Sequence, residues 1–463
     1  MQYLSTRGGA PAVSFTEALL AGLAPDGGLY MPERWPGLSH DEIADFSGAP
    51  YAAVAAEILL RFAGNALSRA EAEAATATAY AGFAHRARTP LRQLDADLWL
   101  LELFHGPTLA FKDVAMQLLR PLYEHALKAQ GRRLTLVCAT SGDTGGAAVE
   151  AFRGSPDIDL VVLFPHGRIS EVQRRFMTAV PAENVRCVAI DGTFDDCQAI
   201  LKALFADRAF AESVGLSGVN SINWARIVAQ SVYYFTAAAA LGAPDRKVSF
   251  AVPTGNFGDA FAGYAAHRMG LPIERIVIAT NANDILASAL ATGRYARGEV
   301  VATQSPAMDI QVASNFERLY FEAVGRDPVE TSRAFTAFGA TGSLDLPSQA
   351  RHAIAALFDA GSVSEKDTAD QMADTERWTG HLVDPHTAVA LHAAALHAAA
   401  GGSGPIVVLA TAHPAKFPEA VEAATGVYPV LPKRVGDLYA RPERITRLPV
   451  DIEAVKAFVR AAA

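Results

Sequence analysis

LFHGPTLAFKD, residues 103–113, places one lysine, Lys112, in an apolar segment where a loop containing Gly106 and Pro107 gives way to a helical pattern. Lysine is seldom buried unless it is paired or takes part in chemistry, because its ammonium group is costly to dehydrate. Only eight of the 40 basic residues are lysines. Unlike arginine, lysine can lose its proton and form an imine with a carbonyl. Lys112 is therefore either an imine-forming residue or a lysine whose ammonium reaches solvent from a helix start.

From residue 98 onward, short runs rich in Leu, Val and Ile alternate with helical patterns, as in parallel βαβ units. The predicted strands are 98–103, 134–138, 160–164, 185–190, 248–252, 275–279 and 406–410. The predicted helices between and after them include 114–130, 194–205, 224–241, 259–269 and 417–424. This pattern predicts the α/β class with two sheets. Ligands of such sheets bind beyond the carboxyl ends of the strands, so we expect function in the turns that follow strands.

The first ninety residues are predicted to be mainly helical. Residues 14–17 and 68–71 both fit a capping box, and each precedes an alanine-rich stretch at helical spacing. At 463 residues the chain is too long for one hydrophobic core. We therefore expect a helical N-terminal domain ahead of the α/β part.

Composition limits the compartment and the partners. The formal charge is −9 and Lys and Arg form no cluster, which argues against nucleic acid or an anionic membrane as partner. No apolar run has the length of a membrane span, and no signal peptide is evident, so we expect a cytoplasmic protein. Three cysteines, Cys138, Cys187 and Cys197, form no disulfide framework and favour a reducing compartment.

Two turns that follow predicted strands are rich in glycine and hydroxyl residues, namely 139–146 (ATSGDTGG) and 253–259 (PTGNFGD). Glycine lets the backbone approach a ligand, and free N–H groups at a helix start suit a phosphate or a carboxylate. The alternative is that these are ordinary turn and N-cap residues. Neither turn has the spacing of an ATP-binding or dinucleotide-binding motif.

Two further segments carry polar side chains. Residues 411–417 (TAHPAKF) offer a hydroxyl, an imidazole and Lys416, unless they form a proline turn with a solvated lysine. Residues 220–226 (NSINWAR) place Arg226 at a predicted helix start, where it would suit bidentate phosphate recognition, although Asn and Ser are also common N-caps. Four histidines lack the spacing of a metal site and are predicted to be structural or solvated: His381, His386, His392 and His397.

Together these features match the needs of pyridoxal phosphate. An imine-forming lysine would carry its aldehyde, one glycine-rich turn would hold its phosphate, and the other would bind a substrate carboxylate. Arg226 favours a substrate that bears a phosphate of its own.

Five segments in this order resemble the threonine synthase family, of the longer microbial and fungal type with an added N-terminal domain. They are 105–113 (HGPTLAFKD), 139–145 (ATSGDTG), 220–223 (NSIN) with Arg226, 255–259 (GNFGD) and 411–417 (TAHPAKF). Residues 3–8 (YLSTRG) and 25–30 (PDGGLY) resemble it too, so the likeness spans nearly the whole chain.

The resemblance implies a pyridoxal-phosphate enzyme of fold type II, similar in architecture to the tryptophan synthase β chain. Two open α/β sheet domains would follow a mainly helical N-terminal domain. The implied limits are 1–95 for the N-terminal domain, 96–130 and 245–463 for the large cofactor-binding domain, and 131–244 for the smaller domain. The enzyme would be a carbon–oxygen lyase that converts O-phosphohomoserine and water to threonine and phosphate, the last step of threonine biosynthesis, as a monomer or homodimer.

The resemblance also assigns roles. Lys112 would be the imine lysine and the catalytic base, and Thr411 would hydrogen-bond the pyridine nitrogen. The cofactor phosphate would be held by Gly255, Asn256, Phe257, Gly258 and Asp259. The substrate carboxylate and the oxygen attached to the cofactor ring would be bound by Ser141, Gly142, Asp143, Thr144 and Gly145. The substrate phosphate would be bound by Asn220, Ser221 and Arg226, with Lys416 as a further candidate.

Two alternatives stay open. A threonine-synthase-like enzyme could release phosphate and form a 2-oxo acid instead of threonine, using the same lysine and turns. A catalytically silent binding protein of the same fold would be expected to lack Lys112 or Arg226, and both are present.

Overall fold

The predicted strands form the centres of two parallel sheets in the computed structural model, which describes residues 1–462. The strands are β1 (Gln2–Ser5), β2 (Val13–Ser14), β3 (Tyr30–Pro32), β4 (Leu91–Gln93), β5 (Leu98–Glu102), β6 (Leu134–Ala139), β7 (Ile158–Pro165), β8 (Val185–Ile190), β9 (Leu216–Ser217), β10 (Val248–Pro253), β11 (Ile273–Thr280), β12 (Arg294–Ala296), β13 (Ser343–Asp345), β14 (Phe358–Ser362), β15 (Ile406–Ala410) and β16 (Thr446–Leu448). All seven predicted strands are present to within two residues at either end.

Helices cover both parallel sheets and build most of the N-terminal part. They are α1 (Phe15–Ala21), α2 (His40–Ala44), α3 (Tyr51–Ala63), α4 (Arg69–Tyr80), α5 (Lys112–Gln130), α6 (Asp143–Phe152), α7 (Glu171–Thr178), α8 (Phe194–Ala206), α9 (Arg208–Ser213), α10 (Trp224–Ala240), α11 (Gly258–Arg268), α12 (Ile285–Thr292), α13 (Phe316–Ala323), α14 (Pro328–Thr341), α15 (Ser348–Ala355), α16 (Glu365–Thr379), α17 (Pro385–Ala399), α18 (Pro418–Thr425) and α19 (Ile452–Ala462). Within the described part of the chain, none is long and apolar enough to cross a membrane.

The larger sheet has the strand order β14-β11-β10-β15-β5-β4. Its neighbours pair in parallel except β4, which runs antiparallel to β5 at the edge. Every residue of β10 and β15 is buried, as expected of parallel strands covered by helices on both faces. The sheet therefore brings the loops that follow β10, β15 and β5 to one edge.

The smaller sheet is parallel throughout, in the order β16-β8-β7-β6-β9. Its edge strand β16 comes from the end of the chain, and α19 packs Val455 and Val459 into the apolar cluster on that sheet. The range 245–463 implied for the large domain thus includes a terminal segment that pairs with the smaller sheet. The domain limits themselves stay predictions.

The N-terminal part combines α1 to α4 with a small antiparallel sheet, β2-β1-β3. The predicted capping boxes at Ser14 and Ser68 are both confirmed, because each serine side chain accepts from the backbone of the glutamate three residues on. The three strands have two to four residues each, too few to leave an alternating pattern in the sequence.

Candidate active site

Lys112 is the first residue of α5 and lies beside the segment that follows β15. The Phe111 N–H donates to the Thr411 carbonyl at 2.8 Å, and the His413 N–H donates to the Leu109 carbonyl at 3.0 Å. This short antiparallel pairing links the loops that follow β5 and β15. It brings the backbone of Thr411 to the start of α5, next to Lys112.

The loop before Lys112 is folded onto the first turn of α5. The buried Asp113 carboxylate accepts from the Thr108 N–H at 2.8 Å and from the Thr108 hydroxyl at 2.6 Å. A Cβ on Gly106 would lie 2.4 Å from the Asp113 Cβ, so this contact requires glycine. Burial raises the pKa of Asp113 to about 6. The polar residues on either side of Lys112 thus fix the loop that positions it.

A buried carboxylate, Asp143, lies between two lysines. Its Oδ1 is 2.7 Å from the Lys416 Nζ, and its Oδ2 is 3.5 Å from the Lys112 Nζ. Lys416 also donates to the Thr108 carbonyl at 2.9 Å, and its side chain is 1% exposed. The alternative of a solvated Lys416 is therefore wrong.

These charges set the protonation of the site. Burial alone would raise the pKa of Asp143, but Lys416 and then Lys112 hold it well below its usual range. Burial lowers the pKa of Lys112, and the positive charges of Lys416 and Arg226 act in the same direction. The negative charge of Asp143 acts to raise the pKa of Lys112, but the net shift of that pKa is downward. Because only a neutral amine attacks a carbonyl or accepts a proton, the lowered pKa prepares Lys112 for both tasks.

Residues 255–259, the GNFGD loop, connect β10 to α11. Phe257 has φ +63° and precedes α11 in the left-handed region. A Cβ on Gly255 would lie 2.5 Å from the Ala307 carbonyl oxygen, so this segment passes close to another backbone. Within residues 1–462, the backbone N–H groups of the loop donate to no protein acceptor. Such a row of free N–H groups at a helix start is suited to a phosphate.

The side chain of Asp259 does not take part in that row. Its Oδ1 accepts from the hydroxyls of Tyr233 and Tyr234, and its buried Oδ2 has no partner in the described part of the chain. Burial raises the pKa of Asp259 to about 7. The predicted phosphate contact therefore fits the Asp259 backbone N–H, because its side chain is engaged by the two tyrosines.

Residues 141–145, the SGDTG loop, connect β6 to α6. The Thr140 hydroxyl accepts from the N–H groups of Gly142, at 2.9 Å, and Gly145, at 3.0 Å. Gly142 has φ +136°, and a Cβ on Gly145 would lie 2.4 Å from the Met177 sulfur. These two glycines shape the loop from within. The backbone N–H groups of Ser141, Asp143 and Thr144 have no protein acceptor in the described range and are free for an anionic ligand.

Arg226, in the first turn of α10, is a buried guanidinium without a counter-ion. Its Nη1 donates to the Val219 carbonyl at 3.1 Å, its Nε has no partner, and no carboxylate lies within 4.0 Å among residues 1–462. Burial lowers the pKa of Arg226 to about 10. Because a buried charge is costly unless it is paired, this arrangement indicates an anionic ligand.

The NSIN loop, residues 220–223, lies just before Arg226. Asn223 caps α10 and donates to the Leu19 carbonyl at 2.8 Å, which is a structural role. The carbonyl of Ser221 accepts from the Asn315 side chain at 3.3 Å. The side chains of Asn220 and Ser221 make no hydrogen bond to the described residues, so both are available to bind a ligand.

Sequence reasoning missed two residues of the site. Gln173 donates to Asp143 Oδ1 at 3.1 Å, and Asn315 contacts both the NSIN and the GNFGD loops. Each is a single amide without a motif around it, and only the fold brings it to the site.

These residues fit pyridoxal phosphate. The structure offers an amine of lowered pKa, free N–H groups on two loops, and a Thr411 hydroxyl with no hydrogen-bond partner among the described residues. The cofactor carries one phosphate group. The unpaired guanidinium of Arg226 offers a binding site for a further anion.

Three family models match the chain in succession. They are Threonine synthase N terminus over residues 2–80, Pyridoxal-phosphate dependent enzyme over residues 82–344, and Threonine synthase, C-terminal over residues 387–459.

Full-length relatives agree with these models. A threonine synthase from Pseudomonas aeruginosa is 49% identical over 460 residues, which cover 99% of this chain and 98% of that protein. The crystal structure of a PLP-bound threonine synthase from Brucella melitensis matches with a TM-score of 0.97 at 51% identity and covers 100% of this chain and 99% of that one. The yeast threonine synthase structure matches with a TM-score of 0.94 at 37% identity, over 100% of this chain and 98% of that one.

Proposed function

The chain belongs to the threonine synthase family, and we propose that it converts O-phosphohomoserine and water to threonine and phosphate. It is a lyase of fold type II with pyridoxal phosphate as cofactor. When bound, this cofactor withdraws electrons from the carbons next to the substrate amino group. The protein must then supply a base, bind two phosphate groups and one carboxylate, and admit water.

One observation carries the choice of substrate: an amine of lowered pKa lies near a buried guanidinium that has no counter-ion. Arg226 is close enough to Lys112 to lower its pKa. An amino acid that bears a phosphate can occupy both groups, with its amino end at Lys112 and its phosphate at Arg226.

We assign proton transfer to Lys112. Once released from the cofactor, its amine can accept the proton from Cα of the substrate and then one from Cβ. Loss of these protons allows phosphate to leave from Cγ. Lys112 then returns one proton to Cγ, water adds its hydroxyl at Cβ, and a second proton is returned to Cα. The proton that the water gives up is taken by the released phosphate.

The loops provide binding and orientation. The free N–H groups of the GNFGD loop are assigned to the cofactor phosphate, and those of the SGDTG loop to the substrate carboxylate. The Thr411 hydroxyl is assigned to the pyridine nitrogen. Being neutral, it would not enforce a protonated ring as a carboxylate would.

Lys416 is assigned to Asp143 rather than to the substrate phosphate. Its ammonium already donates to Asp143 and to the Thr108 carbonyl, which leaves one of its three N–H groups. In this position Lys416 keeps Asp143 ionised and raises the share of neutral Lys112.

We also infer a reducing, cytoplasmic setting and a monomer or homodimer without nucleic-acid or membrane partners. The net charge of −9 and three free, buried cysteines support this. The proposed domains are 1–95, 96–130 with 245–463, and 131–244, with β16 and α19 packed on the smaller sheet.

Absorbance spectroscopy with product identification tests the function. The purified protein should show the yellow absorbance of a pyridoxal-phosphate imine, lose it on borohydride reduction, and form threonine from O-phosphohomoserine. A colourless protein that added cofactor cannot restore would favour the silent binding protein. Phosphate with 2-oxobutyrate, and no threonine, would favour the oxo-acid-forming alternative.

A further inference from the structure

We propose that Asn315 is a positioning residue that holds the NSIN loop and the GNFGD loop at a fixed separation. The inference rests on the proposed function, in which these loops bind the substrate phosphate and the cofactor phosphate. Each loop binds its phosphate only while its donor groups are held in place. A single amide that hydrogen-bonds to both loops would hold them there.

Asn315 precedes α13 and is fully buried. Its backbone N–H donates to the Asn256 carbonyl at 3.1 Å, and its Nδ2 donates to the same oxygen at 3.0 Å. Nδ2 also donates to the Ser221 carbonyl at 3.3 Å. The side-chain amide therefore contacts one carbonyl in each loop and contributes nothing directly to the anion-binding N–H groups.

Gly258 shows how closely the loops approach each other at this amide. A Cβ on Gly258 would lie 3.3 Å from the Asn315 Nδ2 and 3.6 Å from the Ser221 carbonyl oxygen. The space between the loops is therefore only about one side-chain atom wide. A small movement of Asn315 would therefore displace both loops.

Arg318 fixes the orientation of the amide. It is fully buried, and its Nη1 donates to the Asn315 Oδ1. Its Nη2 donates to the Ile222 carbonyl at 2.6 Å, and its Nε donates to the Tyr30 carbonyl at 3.2 Å. Because a guanidinium only donates, the amide oxygen must face Arg318 and the amide nitrogen must face the loops.

The N-terminal part of the chain thereby supports the site. Tyr30 is the first residue of β3, so the chain of contacts runs from the small N-terminal sheet through Arg318 to Asn315. The guanidinium also lies over the Trp224 ring, 5.4 Å from its centroid, at the start of α10. The amide is therefore held by a rigid frame rather than by a free loop.

The test variant is Asn315→Asp. Aspartate has the size of asparagine and keeps the oxygen that accepts from Arg318. It has an oxygen in place of the Nδ2 donor, so the carbonyls of Asn256 and Ser221 each lose one hydrogen bond. We expect the dissociation constant of pyridoxal phosphate from the apoenzyme and the KM for O-phosphohomoserine each to rise about tenfold. The turnover number at saturation should change less than about twofold, because the reacting groups are untouched.

Two further variants make the result specific. Asn315→Ala removes the donor without adding charge and should raise the same two constants. Leu319→Ala changes a buried residue of the same helix whose aliphatic side chain cannot hydrogen-bond to either loop carbonyl; it should lower thermal stability and leave both constants unchanged.

The proposal is overturned if both Asn315 variants keep the two constants near those of the wild type. It is equally overturned if only Asn315→Asp changes them, since added charge would then be the cause, or if Leu319→Ala raises them as strongly. Failure of the proposed function would be seen in the wild type, as cofactor binding without threonine formation. In that case the cofactor dissociation constants of the variants still decide whether Asn315 holds the GNFGD loop.

Discussion

Replacing Lys416 by methionine should destabilise the apoprotein by about 3 kcal/mol. Methionine fills most of the space of the lysine stem but leaves the Asp143 carboxylate and the Thr108 carbonyl without their contacts at 2.7 and 2.9 Å. Removing one partner of a buried ion pair costs about 3 to 5 kcal/mol. We expect the lower end of that range because Lys112, 3.5 Å from Asp143, still offsets part of the buried negative charge.

The loss should also depend on pH. Lys416 and Lys112 hold the pKa of Asp143 below its usual value of 3.8, so the carboxylate stabilises the fold above that pH. This contribution disappears as pH falls and the carboxylate becomes protonated in the folded state. The difference between wild type and Lys416→Met should therefore be largest near pH 7 and should shrink below pH 3.8.

Urea unfolding of the apoprotein measures this loss, because bound cofactor would add its own stabilisation. Lys128→Met, on an exposed turn of α5, is the matched control and should change stability by less than about 0.5 kcal/mol. The double variant Asp143→Asn with Lys416→Met should be less destabilised than the sum of its parts by at least about 1 kcal/mol. A loss below about 1 kcal/mol for Lys416→Met, or strict additivity, would refute the proposed pairing.

Three further predictions test the roles of single residues. Lys112→Arg keeps the positive charge but cannot form an imine, so absorbance spectra should lack the imine band and threonine formation should be lost; retained turnover would remove Lys112 from the chemistry. Arg226→Ala should raise the KM for O-phosphohomoserine by more than about tenfold while the imine band persists, and loss of the band instead would assign Arg226 to the cofactor. Asp259→Asn should flatten the pH dependence of apoprotein stability. Burial raises the pKa of Asp259 from 3.8 to about 7, so the wild type should lose stability as pH rises across that window. The slope should reach at most about 1.4 kcal/mol per pH unit. Equal slopes for wild type and variant in urea unfolding would count against the raised pKa.

The strands that were predictable are mostly buried on both faces. β15 is a continuous apolar run and β10 is interrupted only by the buried Ser249, and burial on both sides of a parallel sheet selects such runs. β14 was missed because its sequence, FDAGS, contains one large apolar residue at its start and no alternation. β16 was missed because three residues carry no period, and its pairing with β8 joins segments more than 250 residues apart.

The site was predictable where residues carry their chemistry within a local motif. Lys112 and the two glycine-rich turns could be found because lysine is rarely placed in an apolar run, and because the turns after parallel strands are where such sheets bind ligands. Gln173 and Asn315 could not be found, since a lone amide has many uses and only tertiary packing brings these two to the loops. The burial of Lys416 was likewise decided by a distant partner, Asp143, the first residue of α6 after a strand of the smaller sheet.

The most direct test of the assigned reaction is to run it in ¹⁸O-labelled water and to follow phosphate and amino acid together. We predict one threonine for each phosphate released from O-phosphohomoserine, with a single ¹⁸O atom in the threonine hydroxyl. Phosphate release with unlabelled threonine, or with 2-oxobutyrate in its place, would contradict it.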